Sequence, residues 1–466
     1  MKLKLIALTV AAFSAACTAK PTSVEDVYAE NCASCHGKQL QGGMGPSLID
    51  DEWKGGSSAT DIAKSISDGN PQMGMPAWKH ALSDELIQGL AIYIQEQKGN
   101  QQPQQVTQKG EVLQSQDYAY SLKTVGEFDE EIWGLSFLPN GDSLITEKAG
   151  DVWLLKSTGE KYKIADTPKI WLNGQGGLLD VLVHPEYPKK LWIYLTFAEN
   201  TGAKQDGKNA GMTTLVRGQI INNKWVNQQV IYRAPHDLHI ASGAHFGSRI
   251  VIRDGYVYFS IGDRGRMHMA QDLSKANGKI HRLTEDGKIP SDNPFINTKD
   301  ALQTIWSYGH RNPQGLALHP VTNEIWESEH GPRGGDEINL IEPSLNYGWP
   351  VITYGINYNG QPISDKTHQE GMQQPKHYYV PSIATAGMEF YRGKTFAKWQ
   401  NNLLLASLAK QELRRLVVKD QQVISDELLV KDQGRIRDVA VSPAGEIFIA
   451  VREGSDNKVL QLVKVD

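Results

Sequence analysis

The chain of 466 residues has only three cysteines, Cys17, Cys32 and Cys35, and this small number excludes a framework of disulfide bonds. It also lacks a basic excess, because 48 lysines and arginines face 53 aspartates and glutamates, for a formal charge of -5. We therefore expect no nucleic-acid partner, since binding to phosphates requires clustered positive charge. No apolar run reaches the roughly 20 residues of a membrane-spanning helix. The hydrophobic fraction of 40% is that of an ordinary globular chain.

The N-terminus has the pattern of an export signal. Lys2 and Lys4 precede a short apolar stretch, and small residues lead to Cys17. This is typical of a bacterial lipoprotein signal over residues 1–17, in which Cys17 becomes the lipidated N-terminus. Ordinary secretory cleavage is the alternative, because Ser14 stands where leucine is commoner. Both predict an exported, periplasmic protein, and lipidation would add a membrane anchor.

Three segments follow the signal. Residues 20–98 contain two helical patterns, the first with Ser23 as a candidate N-cap and the second starting at Ser83. Residues 99–116 are rich in glutamine, which predicts a flexible linker. Residues 117–466 repeat a unit of apolar strand, proline-containing turn and apolar strand. Copies of this unit begin at Leu135, Asp180, Leu316 and Val439. Such recurring hairpins predict an all-β propeller of six blades, with a large β-sandwich as the alternative.

The segment Cys32-Ala33-Ser34-Cys35-His36 is a CxxCH motif. In c-type haem attachment the two thiols bond the vinyl groups, and the adjacent imidazole ligates the iron. A redox or zinc motif is the alternative, but zinc needs four ligands and the chain has no second cysteine pair. The sequence therefore predicts haem c attached to Cys32 and Cys35, with His36 as an iron ligand.

The order of motifs after CxxCH resembles that of small class I cytochromes c over residues 20–98. A glycine-rich loop is followed by Met-Gly-Met-Pro-Ala-Trp at residues 73–78, and then by the second helix. The resemblance implies that Met75 is the sixth iron ligand, with Met73 and Met44 as alternatives. Histidine and methionine together fill the iron coordination and favour electron transfer over oxygen chemistry.

Polar clusters lie where strands of the second domain should end. His245 and Asp263 flank one predicted hairpin, and a carboxylate beside an imidazole can fix it as a general base. Arg311, Arg435 and Arg437 also lie near predicted strand ends, where they could hold a multiply anionic ligand. Each residue alone is also compatible with an ordinary structural role.

A possible cation site follows the same pattern. Gly331-Pro332, with Asp336 nearby, offers carbonyl and carboxylate oxygens of the kind that Ca²⁺ prefers. Turns of this composition are common without a metal.

Six segments of the second domain, in order, carry a specific resemblance: HFGSR, IGDRG, GHRNPQGL, EHGPRGGDEIN, NYGWP and GRIRDV. They resemble the soluble quinoprotein glucose/sorbosone dehydrogenase family, and its aldose sugar dehydrogenase branch in particular, over about residues 120–466. The resemblance implies a six-bladed β-propeller that holds pyrroloquinoline quinone (PQQ) and Ca²⁺ on one face.

The resemblance also implies roles for individual residues. His245 would take the proton of the sugar C1 hydroxyl, Asp263 would orient His245, and Arg311 would polarise a quinone carbonyl. The implied cofactor contacts are Gln175, Asn312, His330, Lys410, Arg435 and Arg437. The implied metal residues are the carbonyls of Gly331 and Pro332, with Asp336 in support. Two positions depart from the family's glucose dehydrogenase branch: Lys410 is displaced by one residue, and His330 replaces a glutamine.

The implied function is PQQ-dependent oxidation of an aldose at C1 to its lactone. Electrons would pass from reduced PQQ to haem c and then to an external acceptor, a respiratory cytochrome or a quinone-linked carrier. Two alternatives remain open. One is a non-catalytic sugar-binding propeller coupled to a redox-sensing cytochrome, and the other is a Ca²⁺-dependent propeller lactonase.

Overall fold

The computed structural model describes residues 23–53, 55–101 and 112–465. The predicted signal sequence with Cys17 lies outside these ranges, as does the middle of the predicted linker. The described chain forms a small helical domain followed by a large β domain. Among the described helices, none is long and apolar enough to cross a membrane.

The helical domain is built from short, capped helices. Its α-helices are α1 (Val24–Asn31), α2 (Ala33–His36), α3 (Ala59–Asp68) and α4 (Asp84–Gln101). Single 3₁₀ turns lie at Pro71–Met73 and Trp78–His80. Ser23 is the N-cap of α1 and accepts a hydrogen bond from Asp26 N at 3.2 Å. Helix α4 continues into the segment that the sequence predicts as linker. The apolar sides of α1, α3 and α4 form the core of this domain.

The β domain consists of short strands joined by turns. In chain order the strands are β1 (Leu113–Gln114), β2 (Ala119–Phe128), β3 (Ile132–Phe137), β4 (Ser143–Glu147), β5 (Val152–Leu155), β6 (Lys161–Lys163), β7 (Leu178–Val183), β8 (Ile193–Glu199), β9 (Lys204–Gln205), β10 (Lys208–Asn209), β11 (Met212–Ile221), β12 (Lys224–Tyr232), β13 (Ile250–Arg253), β14 (Tyr256–Ile261), β15 (Lys279–Thr284), β16 (Ile305–Tyr308), β17 (Pro313–Leu318), β18 (Ile325–Glu329), β19 (Asp336–Ile341), β20 (His377–Tyr379), β21 (Thr385–Phe390), β22 (Leu403–Ser407), β23 (Glu412–Lys419), β24 (Gln422–Lys431), β25 (Arg435–Val441), β26 (Ile447–Glu453) and β27 (Asp456–Val465). Further 3₁₀ turns lie at His236–Leu238, Met267–Ala270 and Ala397–Trp399.

Six antiparallel sheets form the blades of a β-propeller, which confirms the predicted fold. Blades 1 to 5 are β3-β4-β5-β6, β7-β8-β11-β12, β13-β14-β15-β16, β17-β18-β19-β20 and β21-β22-β23-β24. Blade 6 joins the two ends of the domain, because β2 pairs with β27 in the order β1-β2-β27-β26-β25. This pairing closes the ring of blades.

The first strand of each blade lines the centre of the propeller. Strands β3, β7, β13, β17, β21 and β25 contact one another in this order around a closed ring. Arg249 lies at this ring, and its Nη1 atom is 3.0 Å from both Asp180 Oδ1 and Asp438 Oδ1. A guanidinium that is only 6% exposed is thereby paired with carboxylates of two blades.

One face of the propeller carries the loops relevant to function. Neighbouring strands are antiparallel, so each first strand begins at the end of the blade where the second strand finishes. The connections into the first strands and the loops between second and third strands therefore open on the same side. We call this side the top face.

The helical domain contacts the propeller directly. Ile356 of the propeller belongs to the same buried apolar cluster as Leu90 of α4. The Arg333 guanidinium forms ion pairs with Glu25 of α1 and Glu96 of α4. The contact holds the two domains together in addition to the predicted tether.

Candidate active site

The top face gathers the predicted site residues from distant parts of the chain. His245 precedes β13, Asp263 follows β14, and Arg311 precedes β17. The loop of residues 330–335 joins β18 to β19. Antiparallel blades bring these positions to one side of the ring, although they are far apart in sequence.

His245 and Asp263 form a close pair. The distance from His245 Nδ1 to Asp263 Oδ1 is 2.6 Å, and the side chains are 15% and 1% exposed. Because a carboxylate only accepts, Nδ1 carries the proton and Nε2 is left with a free lone pair. His245 has a left-handed φ of 51°, and its backbone N–H donates to Gln175 Oε1 at 2.7 Å. The pair has the geometry of an oriented general base.

Both oxygens of Asp263 are held in place. Gly265 N donates to Oδ1 at 2.7 Å, and Trp349 Nε1 donates to Oδ2 at 2.9 Å. Burial alone would raise the pKa of Asp263, but the hydrogen bond from His245 and the charge of Arg311 outweigh it and lower the pKa. The carboxyl is therefore ionised at neutral pH. Trp349 was not predicted as a site residue.

Arg311 connects this pair to the loop of residues 330–335. Its Nη1 atom donates to the carbonyls of His330 and Gly331 at 3.0 and 2.9 Å. Its own carbonyl accepts from Asp263 N at 2.7 Å, and its guanidinium lies 5.4 Å from the centre of the Trp349 ring. A fixed positive charge therefore lies beside the oriented histidine.

Two nitrogens near Arg311 lack internal partners. His330 Nε2 and Arg437 Nε are buried and have no hydrogen-bond partner within the described residues. Burial, together with the charges of Arg311 and Arg437, holds the pKa of His330 well below its usual range, so the imidazole is neutral. Buried polar atoms are rarely left unpaired, so both nitrogens are available to bind a polar ligand. Arg311 supplies positive charge for an anionic ligand, whereas the charge of Arg437 is already paired with Glu131, at 3.0 Å from Nη2 to Oε1.

The loop of the predicted metal residues is tightly built. A Cβ on Gly331 would lie 2.2 Å from a carbonyl oxygen of the same loop, so only glycine fits there. The Asp336 carboxylate accepts from Gly331 N at 2.8 Å, Ser382 Oγ at 2.7 Å and Ile383 N at 2.8 Å. Asp336 thus holds the loop in one conformation. Any cation site would depend on the carbonyls of Gly331 and Pro332.

Three other predicted cofactor residues lie in different environments. Asn312 is only 1% exposed, and its Oδ1 accepts from Gln314 Nε2 at 3.2 Å. Arg435 is exposed at the start of β25. Lys410 Nζ donates to Asn100 Oδ1 at 3.1 Å, in the helical domain. The structure therefore directs Lys410 to the contact between the domains.

Glu329 was also missed by the sequence reasoning. Its side chain is buried, and Oε2 accepts from Asn312 N at 3.2 Å and from the backbone N–H of Arg311. Glu329 thereby fixes the backbone conformation at Arg311 and Asn312. Its position directly before the motif of residues 330–332 is the signal that could have identified it.

The helical domain has the features of a haem site. Cys32 and Cys35 are free of disulfide bonds and partly exposed. His36 Nδ1 lies 2.9 Å from Pro46 O, so Nδ1 donates and Nε2 remains for a metal. Met75 packs against the helical core. In contrast, Met44 and Met73 are 85% and 76% exposed. These placements fit a haem ligated by His36 and Met75.

Comparison with known proteins identifies both domains. Residues 129–461 match the family model described as Glucose / Sorbosone dehydrogenase. The chain belongs to this family. Residues 19–94 match the model described as Cytochrome C oxidase, cbb3-type, subunit III, so the helical domain is a cytochrome c domain. A glucose/sorbosone dehydrogenase propeller with an N-terminal cytochrome c domain is an oxidoreductase.

Named relatives extend the comparison. An aldose sugar dehydrogenase of Escherichia coli is 39% identical over 69% of this chain and 87% of its own. The apo crystal structure of the soluble aldose sugar dehydrogenase from Escherichia coli has a TM-score of 0.70, at 35% identity over 74% of this chain and all of its own. The PQQ-bound aldose sugar dehydrogenase of Streptomyces coelicolor has a TM-score of 0.60, at 26% identity over 74% of this chain and 98% of its own.

Proposed function

We propose that this protein oxidises aldose sugars at C1 to lactones with PQQ as cofactor, and passes the electrons to its own haem c. The observation that carries the proposal is the His245–Asp263 pair beside Arg311, with the unpaired nitrogens of His330 and Arg437 facing the same region. The relatives described as aldose sugar dehydrogenases, one of them in a PQQ-bound form, support the cofactor and the substrate class.

Each of these residues would have a separate role in the reaction. His245 Nε2 takes the proton of the C1 hydroxyl, while Asp263 holds the imidazole and stabilises the positive charge that forms on it. Bound PQQ supplies the acceptor for the hydride that leaves C1. Arg311 places a fixed positive charge where negative charge develops on the acceptor. Arg437 and neutral His330 hold the cofactor through the nitrogens that lack other partners.

Ca²⁺ is part of the proposal. The carbonyls of Gly331 and Pro332 are oxygen donors of the type that this ion prefers. The Gly331 carbonyl also accepts from Arg311 Nη1 at 2.9 Å, so the ion would share this oxygen with Arg311. Their loop is held in one conformation by Asp336. The ion would add positive charge at this loop.

The cytochrome domain would collect the electrons. We propose that Cys32 and Cys35 would bond haem c and that His36 and Met75 would ligate its iron. An external acceptor, such as a respiratory cytochrome or a quinone-linked carrier, would reoxidise it. Export to the periplasm, with a lipid at Cys17, would keep the protein near such acceptors.

Reconstitution tests the enzymatic part. Haem-loaded protein is titrated with PQQ in the presence of Ca²⁺, and oxidation of glucose and other aldoses is followed with a small-molecule dye as electron acceptor. We expect saturable dye reduction that requires PQQ, and lactone as the product. Sugar-independent dye reduction, or lactone hydrolysis without PQQ, would contradict the proposal.

A further inference from the structure

The contact between the domains involves the same loop as the proposed metal site. Arg333 follows Pro332 directly, and its backbone is fixed by two hydrogen bonds with Ile356, each of 3.0 Å. Its guanidinium therefore points away from the active site with little freedom. A loop that touches the reaction site on one side touches the cytochrome domain on the other.

Arg333 forms the ionic part of the contact. Its Nε donates to Glu96 Oε1 at 2.9 Å, its Nη2 donates to Glu96 Oε2 at 2.7 Å, and its Nη1 pairs with Glu25. The Arg333 and Glu96 side chains are 21% and 13% exposed. A two-pronged, partly buried pair of this kind holds a fixed orientation better than an exposed pair does.

Close packing of α4 forms the apolar part. A Cβ on Gly99 would lie 2.2 Å from Pro381 Cδ, and a Cβ on Gly89 would lie 3.2 Å from Pro362 Cγ. Glycine inside a helix is destabilising relative to alanine. Glycines at these two positions allow α4 to approach the propeller closely.

Packed aromatic rings continue from this contact toward the haem attachment site. Tyr93 of α4 lies close enough to Glu25 and Arg333 for their charges to act on it. Its ring centre is 5.7 Å from that of Tyr28. Tyr28 packs in the same cluster as Cys32, whose backbone N–H donates to Tyr28 O at 2.9 Å. The interior is therefore continuous from Arg333 to the cysteine that would carry haem.

We propose that this contact is the electron-transfer interface of the protein. The ion pairs of Arg333 hold the cytochrome domain against the loop of residues 330–335. The proposal rests on the function proposed above. Oxidation of one sugar releases two electrons and two protons. The ferric haem accepts the electrons one at a time across the interface, and an external one-electron acceptor reoxidises it after each transfer. The two protons leave to solvent.

Two variants open the interface without touching the active site. Glu96→Lys places a second cation against Arg333, and Gly99→Ala inserts a methyl group where Pro381 leaves no room. Both keep residues that are compatible with a helix. Glu85→Lys makes the same charge change as Glu96→Lys at an exposed position of the same helix and serves as the control.

Docking and electron transfer are measured separately on the full haem-loaded chain. Small-angle X-ray scattering without PQQ reports docking, and stopped-flow absorbance after PQQ, Ca²⁺ and aldose are added reports haem reduction. We expect Glu96→Lys and Gly99→Ala to increase the maximum dimension and to slow haem reduction by about tenfold or more, with dye-linked sugar oxidation unchanged. Glu85→Lys should match the wild type in all three.

Three results would overturn the interface. In the first, the domains of the variants separate but their haem is reduced at the wild-type rate. In the second, scattering shows that the domains of the variants remain docked. In the third, the variants behave like Glu85→Lys in every measurement. Absence of dye-linked sugar oxidation in the wild type would instead reject the proposed function, so the two failures are distinguishable.

Discussion

Trp349 Nε1 donates a hydrogen bond of 2.9 Å to Asp263 Oδ2, while the other oxygen of this carboxylate faces His245. A tryptophan far along the chain therefore completes the support of the proposed base. The same indole ring lies under the Arg311 guanidinium. One side chain thus positions both the base and the cation of the site.

Replacing this indole tests its positioning role. Trp349→Phe keeps an aromatic ring under Arg311 but removes the donor to Asp263. The loss of one hydrogen bond to a charged group is worth about 1.5–3 kcal/mol, so we expect kcat/KM for aldose to fall by roughly 10- to 100-fold. The KM should change less than kcat, because Trp349 acts through Asp263 on the orientation of the base. An unchanged kcat would contradict this role.

Removing the base should have a larger effect. His245→Ala is expected to lower dye-linked aldose oxidation by about 10²- to 10⁴-fold, the range that a positioned general base typically contributes. Equilibrium binding of PQQ, followed by its absorbance, should persist. Turnover close to that of the wild type would reject His245 as the base.

The lowered pKa of Asp263 predicts how its contribution to stability depends on pH. A carboxyl whose folded-state pKa lies below its ordinary value of 3.8 stabilises the protein above that value and loses this effect as pH falls through the lowered pKa. The melting temperature of Asp263→Asn should therefore lie below that of the wild type throughout the range from about pH 7 to about pH 5. The difference should shrink only under more acidic conditions. A difference that disappears already near pH 6 would show that the carboxyl has a higher pKa.

The assignment of the haem ligands can be tested by removing one ligand of the iron. Met75→Ala should remove one iron ligand, so that added imidazole or carbon monoxide binds and changes the haem spectrum. Met73→Ala and Met44→Ala change exposed side chains and should leave the spectrum as in the wild type. Ligand binding by either control, with Met75→Ala unaffected, would move the assignment to that methionine.

The recurring hairpins and the two clear motifs made much of this molecule predictable. A period of two along the strands and proline turns between them indicate blades, and the six blades of the structure confirm this. The CxxCH spacing likewise indicates a cytochrome, and the match over residues 19–94 confirms it. These signals are local, because a strand, a turn or a haem motif is read within a few residues.

Contacts between distant residues were not predictable in the same way. The pairing of Trp349 with Asp263 joins positions 86 residues apart. Arg333 and Glu96 are 237 residues apart. Neither pair has a spacing that marks it in the sequence, since the propeller topology alone brings them together. For Lys410 the resemblance implies a contact with the cofactor. In the structure its amine instead donates a hydrogen bond to Asn100 Oδ1.

Rapid mixing under anaerobic conditions tests internal electron transfer most directly. Protein loaded with haem, PQQ and Ca²⁺ is mixed with aldose, and the reduced-haem absorbance band is followed over a range of protein concentrations. Transfer across the interface between the domains predicts that the haem becomes reduced with a first-order rate that does not depend on protein concentration. A haem that stays oxidised while dye-linked oxidation proceeds, or a rate proportional to protein concentration, would contradict it.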